Sequence, residues 1–194
     1  MYDLAVNSSG HLFAATGGSV GTGGVFRSTN NGESWTNIGL KDTTIWNIAV
    51  NLSSGHIFAG AFSGKGVFRS ANNGASWVAI NSGLPANCAT HSIVSRPNGD
   101  LYVIIDCDGS IYRSTDNGDT WDYIKMEGIY AFVQSLAFNS NGHIFAGTAG
   151  NGVFRSTDNG SHWTPTGLLE KTVPSLVVNS VGILFAGTFA DGVF

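Results

Sequence analysis

Short apolar runs separated by glycine-rich polar turns recur along the whole chain. Runs such as WNIAVN, QSLAFN and SLVVN precede a turn, which is followed by IFAG or LFAG and then by GVF. These runs have the usual length of strands, and we find no convincing stretch with the 3.6-residue periodicity of a helix. Several runs are continuously apolar rather than alternating, which is typical of strands buried on both faces. The pattern predicts an all-β protein.

One nine-residue segment occurs four times, as RSTNNGESW, RSANNGASW, RSTDNGDTW and RSTDNGSHW. We call this segment the repeat turn. Its closing tryptophans are Trp35, Trp77, Trp121 and Trp163, at separations of 42, 44 and 42 residues. Each unit contains four strand-length runs, and the repeat turn joins the third to the fourth. Such a unit is typical of a β-propeller blade. A solenoid is the alternative, although solenoid repeats are usually shorter.

The repeat divides the chain into five predicted blades of four strands, the last of which lacks its outermost strand. Their ranges are 1–39, 40–83, 84–127, 128–167 and 168–194. The last unit stops at GVF, just before the place of a fifth repeat turn, so it contains three strands. We expect a monomeric five-bladed ring, because an open array exposes an apolar sheet face at each end. A head-to-tail dimer with ten blades and a fragment of a longer array are the alternatives.

The spacing S-x-D-x-G-x-x-W of the repeat turn resembles the Asp-box, the bacterial neuraminidase repeat of sialidase and sortilin-type propellers. The resemblance covers nearly the whole chain. The first two copies depart from the family pattern, since Asn replaces Asp and its oxygen accepts without charge assistance. The Asp-box positions are Ser28, Asn30, Gly32, Trp35, Ser70, Asn72, Gly74, Trp77, Ser114, Asp116, Gly118, Trp121, Ser156, Asp158, Gly160 and Trp163.

The residues of the repeat turn favour a structural role. The Asn159-Gly160 pair is a strong hairpin signal, and Asp158 is suited to accept hydrogen bonds from nearby backbone N–H groups. We expect Trp163 to lie over the hairpin and to fasten the third strand to the fourth. The acidic turns lack the spacing of a calcium loop, so we predict no metal there. Residues that recur once per blade have the same structural interpretation: Arg27, Arg69, Arg113, Arg155, His11, His56 and His143.

Function is expected where the repeat varies, at the end of the blades opposite the repeat turns. The position two residues before the central Leu or Ile of each inner strand holds Tyr2, Trp46, His91, Gln134 and Pro174. Aromatic rings with a few carboxylates are suited to hold a sugar or a peptide. The alternative is that they plug the central channel or pack between blades. The ligand-binding candidates are Tyr2, Trp46, Phe62, His91, Asp106, Asp108, Tyr130, Phe132, Gln134, Phe189 and Asp191, with Lys65 on a neighbouring loop.

The two cysteines are predicted to approach each other across a hairpin. The Asn98-Gly99 turn, counted as a two-residue loop, pairs residue 90 with residue 107 and brings Cys88 close to Cys107. Three interpretations remain open: a disulfide, two free thiols, or a metal site formed by both cysteines with His91. Three ligands without a fourth are a weak zinc signal.

The resemblance to sialidases implies an arginine triad around a carboxylate, with a tyrosine–glutamate pair for the chemistry. Four of the five arginines precede repeat turns, and Arg96 lies in the turn SRPNGD on the same side. We therefore predict no sialidase activity and no cofactor. The interpretation we favour is a non-catalytic propeller that binds a glycan or a protein partner. The alternatives are a glycoside hydrolase-like propeller, or a fragment of one, and an assembly or scaffold propeller.

Composition and charge indicate which classes of partner are not expected. The net charge is -4 and charged residues make up 11% of the chain, so a nucleic-acid partner is not expected. No apolar run is long enough for a membrane span, and the start MYDLAVNSSG has no signal-peptide pattern. The low charge and the abundance of Asn, Gly, Ser and Thr are nevertheless typical of secreted or periplasmic proteins.

Overall fold

The computed structural model describes residues 1–18, 22–62, 64–127, 129 and 131–194, and within these residues it contains 18 strands and no helix. The strands form five sheets, which we number as blades 1 to 5. Blade 1 contains β1 (Asp3–Val6), β2 (Leu12–Thr16), β3 (Gly24–Ser28) and β4 (Thr36–Gly39). Blade 2 contains β5 (Ile45–Val50), β6 (Ile57–Ala61), β7 (Val67–Ser70) and β8 (Val78–Ala79).

Blade 3 contains β9 (Thr90–Ser95), β10 (Leu101–Ile105), β11 (Ser110–Ser114) and β12 (Asp122–Ile124). Blade 4 contains β13 (Val133–Phe138), β14 (Ile144–Thr148), β15 (Val153–Ser156) and β16 (Thr164–Gly167). Blade 5 contains β17 (Ser175–Val178) and β18 (Leu184–Gly187). The strands of each sheet lie side by side in chain order, which is the meander of a propeller blade. The predicted all-β propeller architecture is confirmed.

The predicted third strand of the fifth unit is reduced to a bridge between Gly187 and Val193. Phe194 and Ala186 exchange two backbone hydrogen bonds of 2.9 and 3.0 Å. The equivalent strand of blade 4 is longer, since β15 pairs with β14 over four residues. The GVF segment therefore begins the expected pairing, as a single bridge in place of the predicted third strand.

The chain divides into two compact units. Unit 1 comprises Met1–Cys107 and Tyr112–Tyr123, and unit 2 comprises Asp108–Ile111 and Ile124–Phe194. Strand β6 of unit 1 explains why apolar runs are continuous. Ile57, Ala59 and Ala61 join a core cluster with blade 1, whereas Phe58 joins a second cluster with blade 3. Because side chains alternate between the two faces of a strand, each face of β6 packs on a different neighbour.

The repeat turns of blades 1 to 4 use the same hydrogen bonds. The buried serine at the start of each turn accepts the N–H of the turn glycine at 2.8 or 2.9 Å. The following Asn or Asp accepts the N–H of the residue four positions later at 2.9 or 3.0 Å. The asparagine directly before the turn glycine has a positive φ of 53 to 59° in all four turns, a conformation that Asn tolerates well. The turn is therefore built from side chain to backbone, as expected of a structural motif.

The Asn or Asp of each repeat turn also bonds to the side chain of the residue four positions later, and that residue differs between the Asn turns and the Asp turns. Asn30 and Asn72 donate from Nδ2 to the hydroxyls of Ser34 and Ser76, both at 2.9 Å. Asp116 instead accepts the hydroxyl proton of Thr120 at 2.6 Å. In the fourth turn the Asp158 carboxylate lies 2.6 Å from Nδ1 of His162. The side chain of the Asn therefore donates this hydrogen bond in the first two turns, whereas the carboxylate of Asp116 accepts it in the third.

The tryptophans of the repeat turns behave in two ways. The Trp163 indole donates to Gly160 O of its own turn at 3.0 Å, and Trp35 does the same with Gly32 O. Trp77 and Trp121 donate instead to the carbonyls of Ile38 and Ile80, which belong to the preceding blade. The prediction that the repeat-turn tryptophans fasten the third strand to the fourth is therefore incomplete. Trp77 and Trp121 join neighbouring blades instead.

The repeated arginines also connect blades. Arg27 donates to Asn73 O in the next repeat turn at 3.0 Å. Arg69 donates to Asn117 O at 2.8 Å and forms an ion pair with Asp119. In blade 3 the repeat changes, because Arg113 binds the buried Asp100 through Nε and Nη2 at 3.1 and 2.7 Å.

The pairing of β9 with β10 corrects the predicted register of the cysteine hairpin. The turn has three residues between Arg96 and Asp100, whose backbones are hydrogen-bonded at 2.8 Å, rather than two. A further one-residue shift places Thr90 opposite Ile105 instead of residue 107. Continued by two residues, this register sets Cys88 opposite Cys107. The two residues form a disulfide, with their Cα atoms 5.6 Å apart.

Candidate functional site

The variable position of the inner strands is a β-bulge in blades 2, 3 and 4. The partner strand skips Trp46 between Ile45 and Asn47, and it skips Gln134 between Val133 and Ser135. His91 is skipped in the same way in blade 3. A bulge leaves one residue outside the ladder and redirects its side chain, and bulges are frequent beside binding sites. In each of blades 2, 3 and 4 the bulge therefore redirects one side chain at this position.

A second residue faces each bulge from the end of the second strand. Its N–H donates to the carbonyl two residues before the bulge, as Phe62 does to Thr44 and Asp106 does to Ala89, at 3.0 and 2.9 Å. We call this contact the rim hydrogen bond. Blades 4 and 5 contain the same bond, from Ala149 to Phe132 and from Phe189 to Thr172. We call the two facing residues of a blade its rim pair.

The rim pairs lie at the end of the sheet opposite the repeat turns. The first turn of a blade joins strand one to strand two, and the repeat turn joins strand three to strand four at the same end. The bulge lies at the start of strand one and the second rim residue follows strand two, so both are at the other end. The rim pairs are Trp46 with Phe62, His91 with Asp106, Gln134 with Ala149, and Pro174 with Phe189.

The blade 2 rim pair is aromatic. The Trp46 and Phe62 ring centroids are 4.2 Å apart with an interplanar angle of 32°, close to stacked. Phe62 remains 44% exposed, so the pair offers apolar surface to solvent. Lys65 lies on the loop beyond Phe62, and its Nζ donates to Thr43 Oγ1 at 2.9 Å. The amine is thereby held toward the inter-blade loop.

The blade 3 rim pair is polar. His91 Nδ1 lies 3.6 Å from the Asp106 carboxylate, and both side chains are about one-third exposed, at 31% and 38%. The His91 ring also lies edge-on to Trp46, with centroids 6.3 Å apart. Unit 1 therefore brings four sequence-predicted residues into one continuous surface, which we call the rim cluster: Phe62, Trp46, His91 and Asp106.

Tyr2 occupies the equivalent place in blade 1. Its N–H donates to Ala15 O at 2.9 Å, and its ring lies over Gly17, where an added Cβ would approach the ring carbon Cε2 closely. The same Cβ would meet Thr44 Cγ2 at 2.8 Å. Gly17 therefore admits Tyr2 beside the start of blade 2, and Tyr2 is 60% exposed.

The candidates of unit 2 are more dispersed. Asp108 accepts the Ser110 N–H at 2.9 Å and serves its own turn, while the backbone of Phe132 lies against Gly109. Phe189 is 84% exposed, and Asp191 forms an ion pair with Lys171 at 3.0 Å. The buried Oε1 of Gln134 has no hydrogen-bond partner within the described residues. Tyr130 lies outside the residues that the structure describes.

Sequence reasoning missed the residues that bond to the bulged strands of blades 2 and 3 from the preceding blade. Asn47, next to Trp46, donates from Nδ2 to Thr90 O and His91 O at 3.0 and 2.9 Å. Asp3 likewise accepts the Ile48 N–H, and Ser135 donates to Val173 O. A polar residue follows the variable position in each inner strand, and this was the available signal. Through Asn47 the two rim pairs of unit 1 are fixed relative to each other.

The pair of cysteines flanks the polar rim pair. Cys107 follows Asp106 directly, and Cys88 precedes Ala89, whose carbonyl accepts the rim hydrogen bond. Sulfurs joined in a disulfide are not thiolate ligands, so the metal site of Cys88, His91 and Cys107 has no basis in this state. Within the described residues, no group of three or more His, Cys, Asp or Glu side chains is arranged to hold a metal ion. None of the described segments is a helix long and apolar enough to span a bilayer.

Comparison with known proteins gives a family and a fold. The DUF6242 beta propeller domain matches residues 55–184. None of the curated proteins is similar to the chain by sequence. Among solved structures, virginiamycin B lyase from Staphylococcus aureus is 15% identical with a TM-score of 0.75, over 95% of this chain and 62% of the lyase.

Two further structures share the fold. The GH74 enzyme of Niastella koreensis is 22% identical with a TM-score of 0.76, over 98% of this chain and 35% of the enzyme. YCF48 bound to D1 peptide is 16% identical with a TM-score of 0.70, over 98% of this chain and 62% of YCF48. The chain spans less than two thirds of the length of these three proteins. At such identities the likeness concerns the propeller fold alone.

Proposed function

The chain belongs to the DUF6242 beta propeller domain family, and we propose that it is a non-catalytic module that binds a glycan through the rim cluster of unit 1. The observation that carries the proposal is the contact of the half-buried Trp46 ring with the exposed Phe62 ring, beside His91 and Asp106. The C–H groups of an equatorial pyranose ring present positive charge to the negative face of an aromatic ring. The imidazole and carboxylate beside it supply hydrogen bonds for sugar hydroxyls.

Charge supports a neutral ligand. The rim cluster contains one carboxylate, and the arginines of unit 1 are committed elsewhere. Arg27 and Arg69 bind repeat turns, and Arg113 binds Asp100. Acidic sugars such as sialic acid usually require arginine for their carboxylate. We therefore expect a neutral glycan, and no turnover of a fluorogenic sialoside.

The chemistry of the blade 3 pair supports binding rather than hydrolysis. Glycosidases normally use two carboxylates that flank the scissile bond. Asp106 faces an imidazole at 3.6 Å instead of a second carboxylate. A glycoside hydrolase-like activity remains the alternative that GH74 propellers illustrate, and a hydrolysis assay on the bound glycan separates the two.

A protein or peptide partner is the second candidate function. Exposed aromatic residues also anchor peptides, and YCF48, a protein of the same fold, has been solved with a peptide bound. We favour a neutral, hydroxyl-rich glycan over a peptide because the rim cluster combines two contacting aromatic rings with a single carboxylate. Assembly or scaffolding would use the same surface with a larger partner.

Three further assignments belong to the proposal. We assign the repeat turns to the Asp-box class because their Ser, Asx, Gly and Trp residues form one recurring set of bonds. We place the protein in a secreted or periplasmic compartment, which the disulfide between Cys88 and Cys107 supports. We retain the monomeric ring as the expected assembly and the head-to-tail dimer as its alternative. Light scattering decides between a mass near 20.3 kDa and twice that value.

The proposal is tested with a panel of immobilised neutral and acidic glycans, followed by titration of the strongest neutral binder. We use cellohexaose, a linear β-linked glucose oligosaccharide, as the first probe because each unit has a flat equatorial face. Binding should quench or shift tryptophan fluorescence, and the change should disappear in Trp46→Phe. Absence of binding to every neutral glycan in the panel contradicts the proposal, and binding to a peptide library then favours the second candidate.

A further inference from the structure

The rim pairs of blades 2 and 3 have the same backbone geometry but different means of stabilisation. Each has a bulge and a rim hydrogen bond, from Phe62 to Thr44 in blade 2 and from Asp106 to Ala89 in blade 3. In blade 2 the two rings contact each other, with centroids 4.2 Å apart and planes tilted by 32°. His91 and Asp106 lack such a ring contact with each other, and their closest approach, 3.6 Å from Nδ1 to the carboxylate, is longer than a hydrogen bond.

The disulfide is placed where this packing is missing. Cys88 and Cys107 continue the ladder one position beyond the rim hydrogen bond, since they immediately flank Ala89 and Asp106. In blade 2 the position equivalent to Cys88 is Thr43, which accepts a hydrogen bond from Lys65. Blade 3 thus has a disulfide next to its rim pair, where blade 2 has side-chain contacts.

The disulfide also connects the two rim pairs. Asn87, directly before Cys88, has a positive φ of 60°, and its carbonyl lies 2.9 Å from where a Cβ on Gly64 would be. Gly64 belongs to the loop that follows Phe62, and its N–H donates to Phe62 O at 2.9 Å. The segment next to Cys88 therefore packs on the loop that follows Phe62, one member of the aromatic pair.

Resting on the glycan-binding function above, we propose that the Cys88–Cys107 disulfide is a positioning element of the binding site, which holds Asp106 beside His91 and the Asn87 backbone against Gly64. The oxidised form of the protein then binds through the rim cluster more tightly than the reduced form. The cysteines touch no ligand. They act by reducing the conformational freedom that the polar pair loses when a ligand binds.

The first measurement is amide hydrogen exchange in the wild type and in Cys88→Ser/Cys107→Ser. The Asp106 amide should exchange at least about tenfold faster in the variant, because its hydrogen bond lies at the end of the ladder that the disulfide closes. The Ala149 amide donates the same rim hydrogen bond to Phe132 O in blade 4, away from the disulfide, and should keep its rate. An unchanged Asp106 rate overturns the proposal, as does an equal increase at Ala149, which indicates general destabilisation.

The second measurement is titration with cellohexaose. The variant should bind about tenfold more weakly, the loss expected when two side chains must be ordered by the ligand. Equal affinity in the two proteins overturns the positioning role. If the wild type itself fails to bind any glycan, the proposed function fails, and the exchange rates still decide whether the disulfide positions Asp106.

A variant that does not fold is replaced by the wild-type protein with a dithiol. The dithiol supplies two electrons and two protons to the two sulfurs and itself closes to a cyclic disulfide. The same pair of amides is then compared before and after reduction. A thiol titration of the denatured, unreduced protein should find no free thiol, and two free thiols would remove the basis of the proposal.

Discussion

At the repeat-turn end, blades 1 to 4 share one set of side-chain hydrogen bonds, whereas at the rim end blades 2 to 4 share a backbone bulge and differ in its side chains. The serine–glycine bond recurs at 2.8 or 2.9 Å in four turns. The bulge residue is Trp46, then His91, then Gln134. One end of the blade is therefore specified by chemistry that repeats, and the other by chemistry that changes on a constant frame.

Under the proposed function, this difference assigns stability to the repeat-turn end of the blades and ligand recognition to the rim end. At the repeat-turn end, Trp77, Trp121, Arg27 and Arg69 bond to a neighbouring blade, so a change there affects packing in more than one sheet. At the rim the backbone is already fixed by the bulge, the rim hydrogen bond and residues such as Asn47. Side chains at the rim are thus free to vary without loss of the fold, which is the property a binding surface needs.

The largest expected effect is on stability, in Trp121→Ala. Trp121 is 4% exposed and donates to Ile80 O of the preceding blade at 2.7 Å. Removing the indole leaves a cavity and an unsatisfied carbonyl, which should lower the free energy of unfolding by about 3–5 kcal/mol. Denaturant unfolding of the two proteins measures the difference. A loss below about 1 kcal/mol would mean that the repeat-turn end does not carry the stability assigned to it.

The second effect is on binding, in Trp46→Ala. Loss of the central ring of the rim cluster should weaken cellohexaose binding by about 2 kcal/mol, or about thirtyfold, while the free energy of unfolding falls by about 1 kcal/mol or less. Isothermal titration and denaturant unfolding give the two values. Trp35→Ala is the matched control, since Trp35 is 38% exposed at the opposite end and should leave the affinity unchanged. Equal affinities of Trp46→Ala and the wild type would exclude the rim cluster as the binding site.

The third effect tests whether the repeat-turn serine is structural. Ser114 is 1% exposed and accepts the N–H groups of Gly118 and Asp116 at 2.8 and 3.3 Å. Ser114→Ala should lower the free energy of unfolding by about 1–2 kcal/mol, because it leaves a buried N–H without an acceptor. Cellohexaose affinity should stay unchanged at temperatures where the variant is folded. Reduced affinity with an unchanged melting temperature would give this end of the blade a functional role.

Repetition explains how much of the fold was predictable. Four copies of the repeat turn locate four hairpins, and their spacing leaves room for two further strands in each unit. The bonds that join blades were not predictable, because Trp35 and Trp77 occupy the same repeat position yet donate to different partners. That choice depends on whether a neighbouring Ile carbonyl lies within reach, which is a property of the packing and not of the motif.

The candidate site was predicted as a set of positions but not as a geometry. Variation at Trp46 and His91 drew attention to this strand position, yet nothing in the pattern indicates a bulge there. The same bulge explains why the hairpin count misplaced the pairing of residue 107, since the count assumed an uninterrupted ladder and a two-residue turn. The disulfide then depends on a register that only the folded hairpin reveals.

The smallest expected effect uses pH to separate the two kinds of repeat turn. Hydrogen bonds from Thr120 lower the pKa of Asp116 from 3.8 to about 2, and hydrogen bonds from His162 lower the pKa of Asp158 to about 2. A carboxylate whose folded-state pKa is depressed stabilises the fold above its unfolded pKa, and this contribution disappears as the pH falls from about 4 to about 2. Asn30 and Asn72 make the same backbone bonds and do not titrate in this range.

We therefore expect the melting temperature of the wild type to fall between pH 4 and pH 2 by more than that of Asp116→Asn/Asp158→Asn. The difference should amount to only a few degrees because both carboxylates are open to solvent, which screens their interactions. Asn is a suitable replacement, since Asn72 donates to the Ser76 hydroxyl in the position where Asp116 accepts from Thr120. Asp122→Asn, at an exposed strand position of blade 3, is the control and should retain the wild-type fall. Identical melting curves of the wild type and the double variant from pH 5 to pH 2 would show that the Asp and Asn turns hold the blades equally well in acid.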